Sequence, residues 1–267
     1  MSRSETANAS LWTDLGLDVH RRAGWSAPAE LLDACPEAFL RRVPGRETFI
    51  VRSGAACAVA KRAVERRAPF RALLGGDRNA LCVREHANLR ALAEDGLPVP
   101  RAIGCAERRD GARVRSVVVM EHVEHVETLR ERLGRASFGE RRAWCGRLLA
   151  LVLRLHGRGW YHRDLYLQHV VVRAGTDELV LLDVARARKE PAPRERWFVK
   201  DVAALLHSIP RVVSARERLV FLARYLDGRG IDERGARRRF LARVVAKERR
   251  ISAHAPRAGE DRPWTDR

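Results

Sequence analysis

The stretch "HRDLYLQHVVVRAGTDELVLLD", residues 162–183, holds two short apolar runs in a polar frame. "VVVR" (170–173) and "LVLL" (179–182) have the length and branching of strands, and "AGTDE" (174–178) between them is turn-like. The pattern predicts an antiparallel hairpin, whose open ends lie side by side. Asp164 and His169 precede its first strand and Asp183 follows its second, so two carboxylates far apart in sequence are expected at one mouth. Such a pair can divide labour: one orients a hydroxyl or accepts its proton, while the other holds a divalent cation.

Upstream, residues 139–158 read as a helix with Trp144, Leu148, Val152 and Leu155 on one face, and "TLRERL" (128–133) begins a shorter one. Earlier still, "RETFIVRSG" (46–54) and "AACAVAKRAV" (55–64) are strand-like runs around a Ser-Gly turn, followed by a basic connector, 65–79. Residues 81–94 are helical and closed by Gly96 with Pro98 beyond, and 99–123 form a second hairpin ending in "RSVVVME". Downstream, 196–209, 215–226 and 233–250 are helical. Residues 11–19 could form a short helix, and the last seventeen residues lack periodicity and read as a mobile tail. A strand-rich front before a helix-rich back predicts an α+β protein of two lobes.

Composition narrows the function classes. An apolar share of 46% fits a globular chain, and no run approaches the roughly 18 apolar residues of a membrane span. The N-terminal residues lack the apolar core of a secretory signal, which predicts the cytoplasm. Five scattered cysteines, odd in number and without a CxxC pair, argue against a zinc site or a disulfide framework and suit a reducing compartment. The formal charge of +18 invites acidic partners, or reflects compositional bias: only four of the 52 basic residues are lysines (Lys61, Lys189, Lys200, Lys247). Where so arginine-rich a chain keeps lysine, the chemistry can require an ammonium. Nucleic acid is excluded as a partner, because aromatics are 6% and no binding motif is present.

"HRDLYLQH" followed by an Asp at a strand end resembles the catalytic loop and metal-binding segment of the protein-kinase fold. More narrowly, "RDLYLxH" and the downstream "RWFVKDVAALLHS" resemble the bacterial lipopolysaccharide kinases of the Kdo/WaaP (InaA-like) family, from about Arg46 to Ser208. The resemblance implies a bilobal protein-kinase-like fold: an extension (1–45), a strand-rich, ATP-binding N-lobe (46–125), a helix-rich, catalytic C-lobe (126–250) and a tail (251–267). It makes Asp164 the catalytic base and Asp183 a ligand of Mg2+, with His169 at the position where protein kinases carry a metal-binding Asn. Imidazole is a poor ligand for a hard cation, so His169 could instead bond the loop or the substrate. His162 and Arg163 would support the loop, and Asp201, at the head of a buried helix, would anchor its backbone.

In the front half, the resemblance makes Lys61 the ammonium that grips the ATP phosphates, with Met120 and Glu121 also at the nucleotide. Glu85 is its expected partner: Leu81, Glu85, Leu89 and Leu92 form one stripe, where an unpaired carboxylate would be costly. There are departures from the protein-kinase pattern. No GxGxxG is present, so a phosphate-covering loop would come from 43–56 with only Gly45 and Gly54; "DVA" replaces DFG, and no APE follows. The implied activity is phosphorylation of a Kdo or heptose hydroxyl of a lipopolysaccharide core, an anionic glycolipid, at the cytoplasmic face of the inner membrane. Arginines in 235–250 would suit an anionic membrane surface, which salt-sensitive binding to anionic vesicles would separate from an ordinary solvated face. A kinase of another small-molecule, glycan or protein acceptor, and a pseudokinase binding module, stay open as alternatives; the oligomeric state is not legible.

Overall fold

Alternation of small apolar and polar residues builds a five-stranded antiparallel sheet in the first part of the chain. The computed structural model describes residues 28–253 apart from 37, 54–55, 67–78 and 193. The expected helix at 11–19, the turn glycine at 54, most of the basic connector and residues 254–267 of the tail lie outside the described residues. The chain divides into two compact units, Met1–Val123 and Glu124–Arg267.

In the first unit the strands are β1 (Phe39–Val43), β2 (Arg46–Ser53), β3 (Ala56–Arg66), β4 (Ala102–Asp110) and β5 (Arg113–Glu121), in the order β1-β2-β3-β5-β4. Ala58 and Ala60 of β3 face one side, where they pack with Phe49, Val51, Val117 and Val119 under Leu31 and Leu32 of a 3-10 turn, Pro28–Leu32. Arg62, on the same side, donates from Nη1 to the carbonyls of Leu31, Leu32 and Ala34, so its guanidinium closes the end of that turn. Helix α1 (Leu81–Glu94) packs against β3, β4 and β5, and buries Cys82, Glu85, His86, Leu89 and Leu92. It stops at Gly96 (φ +70°), with Leu97 N–H donating to the Leu92 carbonyl at 2.9 Å. The sheet starts earlier than the expected boundary at 46: "FLRRV" is an edge strand whose middle three residues are exposed, so it carries no alternating apolar signal.

The second unit holds the three-stranded sheet β6-β8-β9, from β6 (His125–Thr128), β8 (Val170–Arg173) and β9 (Leu179–Leu181), with β8 and β9 forming the expected hairpin. A short pair joins β7 (Trp160–Tyr161) to β10 (Arg188–Lys189). The helices are α2 (Leu129–Arg135), α3 (Phe138–Gly157), α4 (Glu195–Ser208), α5 (Ala215–Gly228) and α6 (Arg234–Ser252). Three of them start with the capping box S/T-x-x-E: Thr128/Glu131, Ser137/Glu140 and Ser214/Glu217. Glu217 also accepts from Arg141 Nε at 2.8 Å, and that guanidinium, with the Ser214 cap, holds its carboxyl down at about 2. Helix α6 runs two residues into the expected tail.

Two features of the second unit shape its loop. Gly159 turns the chain from α3 into β7 at φ +80°, and a Cβ there would lie 2.9 Å from the Glu190 carbonyl oxygen, so only glycine fits. Helix α4 is buried nearly all round, with Phe198, Val199, Val202, Ala203, Ala204 and Leu205 in the core. Among these apolar residues it carries Asp201 and Ser208, also buried.

Candidate active site

The sequence-predicted residues fall into two groups, one in each unit. In the first, pleating turns Lys61 to the α1 face of β3, where its Nζ donates to Glu85 Oε1 at 2.6 Å. The Glu85 side chain is 3% exposed, and removing a neutralising charge from such a carboxylate is costly. One turn earlier, Cys82 Sγ donates to the Lys61 carbonyl at 3.3 Å; burial pushes that thiol up to about 12, so it stays a protonated donor. Helix α1 thus grips both the side chain and the backbone of Lys61. Met120 shares the Lys61 face and is buried, while the Glu121 carboxylate accepts from Arg101 N–H at 3.0 Å.

The second group is the loop 162–169. Its backbone is irregular at Arg163 (φ +72°), which with Asp183 (φ +57°) just past β9 makes the two non-glycine residues with positive φ among the described residues. Such conformations cost about 1–3 kcal/mol each and persist where surroundings impose them. At Arg163 α4 does the imposing. The fully buried Asp201 carboxylate accepts from His162 N–H at 2.6 Å (Oδ2) and Arg163 N–H at 2.7 Å (Oδ1), and Ser208 Oγ accepts from Leu167 N–H at 2.9 Å. The Arg163 guanidinium lies 4.5 Å over the Trp197 ring, which stacks on Tyr161. Residues 197, 201 and 208 are spaced so that one helix face meets the whole loop. Asp201 sits in the interior of α4, not at its head as expected, so it is shielded from water and needs these donors.

Behind Asp201 stands a second buried layer. His156 Nε2 faces Asp201 Oδ2 at 3.4 Å, and its Nδ1 accepts from the Tyr225 hydroxyl at 2.8 Å. Burial holds the His156 pKa below its ordinary value, which fits this neutral tautomer. His162 is likewise held neutral by burial, and its Nε2–H donates to the Leu182 carbonyl at 3.0 Å, tying the loop to the end of β9.

Asp164, its side chain 19% exposed, meets two cations: Lys200 Nζ at 3.3 Å from Oδ1, and Arg186 Nη1 at 3.1 Å from each carboxylate oxygen. A carboxylate has about four acceptor sites, so both contacts leave room for a hydroxyl. His169 links the two acidic residues of the hairpin mouth. Its Nδ1–H donates to the Asp164 carbonyl at 2.9 Å, which turns Nε2 toward Asp183 Oδ2, 3.9 Å away. The imidazole therefore bonds the loop through one nitrogen and faces Asp183 with the other.

Among the described residues no group of three or more His, Cys, Asp or Glu gathers as a metal cage. The residues present nevertheless fit Mg2+. This ion takes one or two protein ligands and completes its octahedron with substrate phosphates and water. The 44% exposed Asp183 supplies such an oxygen donor with room for phosphates and water, and the Nε2 of His169 faces it from 3.9 Å.

Sequence reasoning missed Lys200 and Arg186 as neighbours of Asp164. For Lys200 a signal existed, since it is one of four lysines in a chain that otherwise uses arginine. Of the segment expected to cover phosphates, residue 54 with its glycine lies outside the described residues, and Gly45 forms the β1–β2 turn at φ +75°.

A family model described as "Lipopolysaccharide kinase (Kdo/WaaP) family" matches residues 76–225. The chain is 34% identical over 128 residues to a 3-deoxy-D-manno-octulosonic acid kinase of Stenotrophomonas maltophilia, covering 48% of this chain and 49% of that one. It is 28% identical over 159 residues to the kinase of that name from Xylella fastidiosa, covering 57% and 61%. The matches thus span about half the length of these curated relatives. A solved structure of WaaP in complex with acyl carrier protein aligns with a TM-score of 0.65 at 26% identity, covering 87% of this chain and 95% of that one. The α+β, protein-kinase-like architecture expected from the sequence is the one observed.

Proposed function

The chain belongs to the lipopolysaccharide kinase (Kdo/WaaP) family, and on that premise we propose that it transfers the γ-phosphoryl group of ATP to a Kdo or heptose hydroxyl of a lipopolysaccharide core. The observation that carries the reading is the loop 162–169, held in an irregular conformation by α4, with His169 bonded to the Asp164 backbone carbonyl and facing Asp183.

In this mechanism the acceptor hydroxyl gives its proton to Asp164. Its oxygen forms the new bond to the γ-phosphorus as the bond to the bridging oxygen breaks, and ADP leaves. Asp183, with His169 Nε2 beside it, would hold Mg2+, and that ion would supply neutralisation of charge on the phosphates. Lys61, kept in place by Glu85, supplies the ammonium for the nucleotide phosphates, with Met120 and Glu121 at the nucleotide as well. Little covalent chemistry falls to the protein, so positioning and charge placement account for most of the catalysis. The acceptor is an anionic glycolipid. Exposed arginines of α6, Arg238, Arg249 and Arg250, suit a peripheral contact with an anionic membrane surface at the cytoplasmic face. No helix among the described residues is long and apolar enough to cross a membrane.

The test is transfer of labelled γ-phosphate from Mg-ATP into core lipopolysaccharide precursors, beside Asp164→Asn. Label in the glycolipid, reduced about 10²–10⁴-fold in the variant, is expected. Absence of label from the unmutated protein, with ATP still bound, would favour another acceptor or a pseudokinase.

A further inference from the structure

We propose that Lys200 is a positioning residue for the transfer reaction, holding the Asp164 carboxylate in the orientation from which it takes the acceptor's proton. This rests on the kinase reading above. The two residues are 36 apart in sequence, and the contact is made by the helix that also fixes the loop backbone. Lys200 and Asp201 are consecutive on α4. Asp201 binds the amides of His162 and Arg163, and Lys200 binds the carboxylate of the very next residue, Asp164. Two adjacent helix residues therefore clamp three adjacent loop residues, one by backbone and one by side chain.

The two cations on Asp164 differ in kind. The Lys200 side chain is 15% exposed, on a helix packed in the core, whereas the Arg186 side chain is 51% exposed, just past the end of β9. A cation so shielded has few conformations to choose from, while a half-exposed guanidinium can move aside when a substrate arrives. Burial lowers the Lys200 pKa, and the Asp164 charge opposes that shift, as expected for an ammonium retained because its counter-charge is there. Lysine is also rare in this chain, four of its 52 basic residues.

The experiment is a double-mutant cycle on the full chain, using the same labelled-phosphate assay with kcat and KM for ATP measured separately and folding followed by circular dichroism. Lys200→Met is expected to melt as a folded protein, with kcat down about 10–10²-fold, the size of a misplaced catalytic group, and KM for ATP little changed. In the Asp164→Asn background the same substitution should cost less than about twofold more, because residues that act as a unit are not additive. A folded Lys200→Met with unmutated kcat would overturn the inference. So would losses that multiply in the double variant, because a merely structural lysine would act independently of Asp164. Should Lys200→Met not fold, Lys200→Arg decides: kcat within about tenfold supports a charge contact, and a larger loss in a folded protein overturns it. An inactive unmutated chain would bring down the kinase reading and this inference together, whereas an active one beside a fully active Lys200→Met would bring down the inference alone.

Discussion

The first unit positions its charged group by regular structure, and the second by irregular structure held from outside. Lys61 stands on a central strand paired on both sides, its direction set by the pleat, and needs only α1 to supply Glu85. The loop 162–169 has no ladder of its own. Its backbone groups find partners on α4, about forty residues later, and its positive-φ residue, Arg163, is tolerated because those partners hold it. A regular element carries a side chain to a predictable place at little cost. An irregular loop can present several groups to one point, but its geometry depends on buried polar anchors, each of which is expensive to lose.

Three substitutions or conditions would break or sharpen that contrast. The largest effect is expected from Asp201→Ala, which orphans the His162 and Arg163 amides. At about 1–3 kcal/mol per unsatisfied buried donor, chemical denaturation should report a loss of about 2–6 kcal/mol. A loss below 1 kcal/mol would mean that the loop holds its own shape. Acidification comes next. His156 and His162 are held below their ordinary value of 6.5, so the unfolded chain binds protons that the folded one refuses. Stability should therefore be full above pH 6.5 and fall as pH drops below it, by at most about 1.4 kcal/mol per pH unit for each histidine. Denaturation midpoints at pH 5.2 and 7.2 read this above the range in which Glu217 titrates; a flat profile would count against two neutral imidazoles behind the loop. The smallest effect is expected in the first unit. Glu85→Gln keeps the sheet and α1, so about 1 kcal/mol should be lost, with KM for ATP raised more than kcat is lowered. A stability loss as large as that of Asp201→Ala would erase the difference between the units.

Much of the site was legible because its signals are local. The hairpin 170–181 follows from two apolar runs around a polar turn, and helix α1 from a stripe that ends at Gly96. Glu85 was identifiable because a carboxylate on an apolar stripe requires a partner. β1 was not legible, since an edge strand with an exposed middle has no alternating pattern. The capping roles of Glu131, Glu140 and Glu217 are spelled out locally, as S/T-x-x-E at each helix start.

By itself the sequence determined which chemical groups are present and which short elements carry them: an ammonium on a strand, a carboxylate on a helix stripe, and two acidic residues flanking one hairpin. These follow from periodicity and turn chemistry, which act over a few residues. Only the tertiary structure decided that Lys200 and Arg186 meet Asp164, that Asp201 lies inside its helix, and that His169 bonds the loop with one nitrogen while facing Asp183 with the other. Those contacts join residues brought together by the path of the chain, and the desolvation of buried charge, which no local pattern encodes, selects which of them pair.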